Sequence, residues 1–248
     1  MINKIRTKLI NLVEENNLRD KEIEITARPL STKEAIGETT REDFPLQTGK
    51  EVLIQAKFKG CLGQAFTDTP KSFSGTIDDI LNLKLNDNFN RALLIATLNS
   101  ITKYLDITCD TIHCKDDEPE NCGEEIATRI ATEYKVDNKI GIIGFQPAII
   151  ENIVQMFDAE KVRVTDLNPD NINTIIAGVK VWDGKEKTEK LVKESDLVLA
   201  TGSTVVNNSL EEIINLTENY NKKLILFGTT IAGTAALLEL DRICPYSC

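Results

Sequence analysis

The sequence predicts an α/β protein in which a small α+β unit precedes a Rossmann-like parallel sheet with flanking helices. From residue 137 onward, apolar runs of strand length alternate with helix-length segments, the rhythm of parallel β-α-β units. Before residue 106 the patterns are mixed, with strand alternation beside helical periodicity. The chain has 248 residues, enough for one large domain or two modest ones. Its composition, 41% hydrophobic and 27% charged, is that of a globular chain and argues against disorder.

The elements follow in order. Residues 3–18 form an amphipathic helix, with Ile5, Leu9, Leu12 and Val13 near 3.6 spacing. Ile23, Ile25 and Ala27 alternate with polar or charged residues, as in a half-buried strand, and residues 51–58 (EVLIQAKF) make a second strand. Gly60, Gly63 and Pro70 mark a loop. Residues 77–85 and 88–104 are helices, the second apolar enough to lie deep. The sequence then gives a strand at 139–144, a helix at 147–157 with Pro147 in its first turn, and a strand at 161–166. A short helix at 171–177 and another helix at 187–193 come next. Strands at 196–200 and 223–227 each precede a helix, at 209–216 and 231–240. Acids at Glu211 and Glu212 suit the positive end of the former.

Charge excludes several partners. Lys+Arg 29 against Asp+Glu 39 gives a net charge of −10, and residues 1–135 alone carry 18 bases against 23 acids. Neither half offers the clustered bases that a phosphate backbone or an anionic membrane wants. No apolar run reaches the roughly 20 residues of a membrane helix. The N-terminal segment carries acids early and does not read as a signal peptide. Six cysteines without an export signal fit a reducing, cytoplasmic setting, where thiols stay free or bind metal.

Open parallel sheets bind ligands beyond the carboxyl ends of their strands. The residues there are Gly144-Phe145-Gln146-Pro147, Asp166-Leu167-Asn168-Pro169, Thr201-Gly202-Ser203-Thr204 with Asn207 behind, and Gly228-Thr229-Thr230. The first turn lacks the G-x-G-x-x-G fingerprint of a dinucleotide site, and there is no Walker A lysine. The third and fourth turns put Gly beside hydroxyls, which can cradle a carboxylate or a phosphate or can serve as ordinary tight turns and caps.

A second candidate is the segment 109–125, CDTIHCKDDEPENCGEE. It gathers Cys109, His113, Cys114 and Cys122 with the six acids Asp116, Asp117, Glu118, Glu120, Glu124 and Glu125, and His113 is the single histidine of the sequence. Thiolate and imidazole suit soft or borderline ions, although C-x₄-C-x₇-C is not a zinc-finger or iron–sulfur spacing. If residues 107–114 form a strand, Cys109 and His113 share a face while Cys114 points away, so a core strand with buried thiols is the competing reading. Cys61 sits between Gly60 and Gly63, in either a tight turn or a close ligand approach. Cys244 and Cys248 end the sequence as C-x₃-C, a metal pair or idle terminal thiols. Asn90, Arg91 and Asn99 interrupt an apolar helix, reaching either a site or its exposed edge.

KGCLGQAFTDTP, FNRALLIATLNS, TIHCKDDEPENCGEEIA, IGIIGFQPAII, VTDLNP, ATGSTVVNNSLEEII and FGTTIAGTAALL occur in this order. As a set they resemble the family of putative heavy-metal chelation proteins, over about residues 30–240. The resemblance implies an enolase N-terminal-like α+β domain, residues 1–108, followed by a Rossmann-like domain, residues 109–248, with a site in the cleft between them. Enolase chemistry does not follow, because the enolase barrel is missing. Carried over position by position, it implies ligand-binding roles for Gly60, Cys61, Gly63, Asn90, Arg91 and Asn99. It implies the same for Gly144, Asp166, Asn168, Thr201, Gly202, Ser203, Thr204, Gly228 and Thr229, and metal binding by His113, Cys114 and Cys122.

The leading expectation is a cytoplasmic, self-associating protein that handles a transition or heavy metal ion, or a metal-bearing small molecule, in an inter-domain cleft. The alternative is a Rossmann-type group-transfer enzyme acting on a small anionic or nucleoside-like molecule. A third reading is a non-catalytic ligand sensor or oligomeric scaffold. No Ser-His-Asp elbow and no H-E-x-x-H motif is present, so hydrolysis is not expected.

Overall fold

The computed structural model describes residues 1–19, 25–48 and 51–247. Ile23 and Cys248 fall outside the described residues. In chain order the first elements are α1 (Ile2–Glu15), β1 (Ile25–Pro29), α2 (Thr32–Ile36), β2 (Val52–Phe58), β3 (Cys61–Thr67), β4 (Phe73–Gly75), α3 (Ile77–Leu81) and α4 (Asn88–Tyr104). There follow α5 (Glu118–Glu133), β5 (Ile140–Ile143), α6 (Pro147–Phe157), β6 (Val162–Asp166), β7 (Ile175–Ile176), β8 (Val179–Asp183) and α7 (Gly184–Glu194). The last are β9 (Leu197–Thr201), α8 (Leu210–Asn219), β10 (Lys223–Phe227), α9 (Ala232–Leu238) and β11 (Arg242–Ile243).

Strands β3-β2-β1-β4 form an antiparallel sheet. The loop expected at Gly60–Gly63 is instead the start of a strand. Lys59 and Gly60 take φ of 46° and 87°, the tight turn that reverses β2 into β3. Gly63 lies inside β3, where a Cβ would stand 2.2 Å from the amide nitrogen of Ser100 and 2.3 Å from the carbonyl of Ala96. The glycine lets α4 pack directly on the sheet.

The second sheet has the order β11-β10-β9-β5-β6-β8-β7. All its pairs are parallel except β7 with β8. Counting only the parallel strands from β5, this is the doubly wound order 3-2-1-4-5-6, whose direction reverses between β5 and β9. The expected helix at 171–177 is a turn leading into the β7–β8 hairpin, and β8 (VKVWD) went unread because it lacks a long apolar run. Residues 107–114 form no strand; the segment instead joins β3 through the amide of Gln64 donating to the carbonyl of Thr111, Oγ1 of Thr111 donating to the carbonyl of Leu62, and the amide of His113 donating to Oε1 of Gln64.

Period-two alternation splits the core. Leu197 and Leu199 of β9 join Ile126, Ile130, Ile149 and Ile153 of α5 and α6 on one face. Val198 and Ala200 face the other cluster, which contains α4, α1 and α8 residues together with Ile54 and Ala56 of β2. Helix α4 is buried at nearly every position and belongs to this cluster, so the two sheets share one continuous core. Its N-cap Asp87 accepts the amide of Asn90, which starts an otherwise apolar helix at a defined point. Among the described residues, no helix is long and apolar enough to cross a membrane.

Candidate functional site

The reversal between β5 and β9 places two loops side by side. Gly144, at the end of β5, takes φ of 104°, and a Cβ there would lie 2.5 Å from the side chain of Thr201 at the end of β9. Beyond these loops lies a cavity of about 590 Å³, closed on its far side by residues from the first sheet. The parallel sheet supplies Gly144, Phe145, Asp166, Asn168, Thr201, Gly202, Ser203, Gly228 and Thr229. The region before it supplies Phe44, Leu46, Glu51, Phe66, Asp68 and Asn88. His113, Cys114, Cys122 and Cys244 line the same space.

Two side chains join the sheets behind it. Asn99 is fully buried on α4. Its Nδ2 donates to the carbonyls of Gln64 (2.8 Å), Thr230 (3.1 Å) and Thr229 (3.3 Å), and its Oδ1 accepts the amide of Gly233 at 2.8 Å. Arg91 is buried and donates to the carbonyls of Leu85 (3.0 Å) and Val206 and to Oδ1 of Asn88. Val206 and Asn88 touch the cavity; Arg91 and Asn99 do not.

These placements revise the sequence expectation. Gly60, Cys61, Gly63, Asn90, Arg91, Asn99 and Thr204 do not line the cavity. Gly60 turns a hairpin, and Gly63 spaces β3 from α4. Asn90 caps the loop at the carbonyl of Lys84, and Thr204 donates to the carbonyl of Thr201. Arg91 and Asn99 satisfy backbone carbonyls, a use that a polar residue in an apolar helix has whether or not a ligand is near. The remaining expected residues meet at the cavity.

The cavity is acidic. Asp43, Glu51, Asp68 and Asp166 line it, against Lys185 as the only lysine or arginine among the described lining residues. Glu51 has no hydrogen-bond partner among the described residues. Burial, reinforced by Asp166 and Asp68, pushes its carboxyl up to about 7. Asp166 is also pushed upward by burial, but N–H donors oppose the shift. Its Oδ2 accepts the amide of Phe145 (2.8 Å), and its Oδ1 accepts the amide of Asn168 (2.8 Å) and Nδ2 of Asn171 (3.1 Å).

Three thiols, Cys114, Cys122 and Cys244, also border it. Cys114 and burial push Cys122 up to about 12 while Cys244 opposes the shift, and Cys122 and burial push Cys244 well above the ordinary thiol value. His113 does not turn a lone pair toward them. Its Nδ1 lies 2.6 Å from the carbonyl of Cys114, and burial holds its pKa below the ordinary value. Of the expected His113/Cys114/Cys122 ligand set, the histidine thus has one ring nitrogen at a backbone carbonyl. Among the described residues, no three His, Cys, Asp or Glu side chains stand in metal-ligand geometry.

Over the cavity, the loop carrying Asp43, Phe44 and Leu46 is pinned by Arg41. Its Nη1 donates to Glu151 of α6 at 2.6 Å, its Nη2 to Asp43 at 2.7 Å, and its Nε lies 3.2 Å from Glu120 of α5. Sequence reasoning missed Glu51 and Asp68, and left Cys244 open between a metal pair and an idle terminal thiol. The only available signal was that Glu51 and Asp68 flank strands of the first unit, and nothing in the sequence shows those strand ends facing the second sheet.

Fold and cavity define a class: an α/β protein whose Rossmann-ordered sheet meets a small antiparallel sheet over a ligand-sized pocket at the switch point. Residues 127–240 match the DUF364 family, described as putative heavy-metal chelation, in agreement with the resemblance seen in the sequence. A DUF364 protein of unknown function from Pyrococcus horikoshii is similar in fold, at 15% identity over 92% of this chain and 79% of its own, with a TM-score of 0.53. A DUF364 protein of unknown function from Desulfitobacterium hafniense gives 15% identity over 75% of this chain and 72% of its own, with a TM-score of 0.49. No curated protein matches the chain.

Proposed function

We propose that this protein handles a metal ion, or a small metal-bearing molecule, in the cavity between its two sheets. The observation that carries the reading is the donor set. Four carboxylates and three thiols line the cavity, with a single lysine among the described lining residues. Such walls favour a cation and repel an anion. A volume of about 590 Å³ also leaves room for an organic partner of the metal. In this reading residues 1–108 and 109–248 are the two units, each supplying one wall.

The test is tag-free protein purified anaerobically, with bound metal measured by mass spectrometry. Near-stoichiometric metal, reduced when Glu51, Asp68 and Asp166 are changed together to amides or when Cys114 and Cys122 are changed to Ser, supports the reading. A metal-free protein that takes up no metal on anaerobic loading overturns it.

The alternative, a group-transfer enzyme of Rossmann type, is favoured by the strand order, which puts the cavity where such folds hold nucleotides. The acidic walls weigh against an anionic substrate and leave a neutral or cationic nucleoside as the compatible ligand. Saturable nucleoside binding by metal-free protein would favour it.

A further inference from the structure

The carboxylates of the cavity differ in what already answers them. Asp43 is paired with Arg41 through two bonds of 2.7 Å. Asp166 accepts three N–H donors. Glu51 and Asp68 take part in no ion pair among the described residues. Asp68 is nonetheless held in place. Both its oxygens accept Nδ2 of Asn88 (2.8 and 2.9 Å), and Oδ1 of Asn88 in turn accepts the buried Arg91. The neutral amide between them fixes the carboxylate and leaves its charge in place. Thr229 adds an unanswered hydroxyl. It is 1% exposed and borders the cavity, and its Oγ1 has no hydrogen-bond partner among the described residues. A buried hydroxyl without an internal partner calls for a polar atom from outside the chain. Around these groups the wall is apolar, with Leu46, Phe66, Phe145 and Phe227 bordering the same space.

We propose that the cavity takes an organic ammonium ion with an apolar body, its nitrogen directed to Glu51 and Asp68 and its body to the phenylalanines. The inference goes beyond metal handling and needs no metal in the cavity. An apolar pocket with a few placed polar groups is the form of an organic-ligand site, and aromatic faces attract cations. An anion would meet four carboxylates, with Lys185 as the only lysine or arginine among the described lining residues. A neutral molecule would leave the charges of Glu51 and Asp68 unanswered. Among the described residues, no three of the acidic, thiol or imidazole side chains stand in metal-ligand geometry. A bare ion therefore does not collect three of these carboxylates as they stand, whereas an ammonium on an organic frame needs only one or two. Burial, with Asp166 and Asp68 nearby, holds the Glu51 carboxyl up at about 7, and an ammonium beside it would bring it down.

The experiment is calorimetric titration of tag-free protein, freed of metal with a chelator, against three indoles of similar size: tryptamine (a cation), tryptophol (neutral) and indole-3-acetate (an anion). We expect tryptamine to bind tightest and indole-3-acetate weakest, with a difference that shrinks as salt is raised. Glu51→Gln and Asp68→Asn should each weaken tryptamine by roughly tenfold or more, about the worth of one hydrogen bond to a charged group. Both should leave tryptophol unchanged. Asn88→Ala keeps every charge and should still weaken tryptamine, because it frees Asp68. Glu186→Gln, at an exposed acid outside the cavity, should change nothing. A thermal melt of each variant separates lost folding from lost binding. Should Asp68→Asn misfold, Glu51→Gln and the order of the three indoles on the unaltered protein still decide the matter. No binding of tryptamine, equal binding of the three indoles, or tryptamine binding unchanged in folded Glu51→Gln and Asp68→Asn overturns the proposal. Any of these in a protein that does bind metal leaves the metal reading standing. Tryptamine binding by a protein that takes up no metal overturns the metal reading and supports this one.

Discussion

Asp166 at the end of β6 accepts the amide of Phe145 at the end of β5, across 2.8 Å. In a dinucleotide fold an acid in this region meets a ribose hydroxyl. Here the carboxylate holds the first turn in place and is filled by two backbone amides and Asn171. Asp166→Ala should leave two part-buried amides without their acceptor. At about 1–3 kcal/mol for each unsatisfied group, the variant should be destabilised by several kcal/mol in urea unfolding. Asp166→Asn, which retains one acceptor oxygen, should lose less.

Glu51 makes stability depend on pH. Its carboxyl is raised from an ordinary 4.5 to about 7, so between these values the native state holds a proton that the unfolded state has lost. Stability should therefore fall as pH rises from about 4.5 to 7. The full cost above pH 7 is roughly 3 kcal/mol, from about 1.4 kcal/mol per tenfold change. Glu51→Gln should abolish this dependence and be the more stable protein at pH 8. Equal pH slopes for the two proteins in chemical unfolding would refute the assignment. A cation bound at this end should be accompanied by release of that proton, measurable by calorimetry in two buffers.

Gly63→Ala places a methyl group 2.2–2.3 Å from backbone atoms of Ser100 and Ala96, which cannot rotate away. Overpacking costs about 1–3 kcal/mol, occasionally more, and backbone against backbone should reach the upper end. A thermal melt measures it.

Asn99→Ala should cost more still. It leaves the carbonyls of Gln64 and Thr230 and the amide of Gly233 unpaired in a fully buried place where the two sheets meet. At about 1–3 kcal/mol each, the loss should exceed roughly 3 kcal/mol and raise hydrogen exchange in β3 and the β10–α9 turn together. Exchange confined to α4 would show that the clamp does not couple the sheets.

Arg41 ties the loop over the cavity to α5 and α6. Arg41→Met should raise amide exchange in residues 38–48 while leaving the parallel sheet protected. Isolated surface ion pairs contribute about 0–1 kcal/mol. Arg41, with a side chain 19% exposed and three carboxylates around it, should exceed that locally, and the change should be visible first in the loop.

The amino-acid sequence by itself determined the parallel half of the molecule. Strand and helix periods there are local, and a parallel sheet brings its carboxyl-end loops together whatever the rest of the chain does. That is why Gly144, Asp166, Thr201, Gly202, Ser203, Gly228 and Thr229 were legible as neighbours, and why Cys114 and Cys122 stood out by chemistry. Only the tertiary structure decided which polar residues face the cavity. Arg91 and Asn99 look like site residues in sequence, yet they spend their donors on backbone carbonyls inside the shared core. Glu51 and Asp68 gave no local signal, and the C-x₃-C of Cys244 did not say where it would lie, because their meeting depends on α4 packing between two sheets and on the last segment returning beside α5. Those are long-range contacts, fixed by burial of α4 and by close approach at Gly63, and no local period in the sequence encodes them.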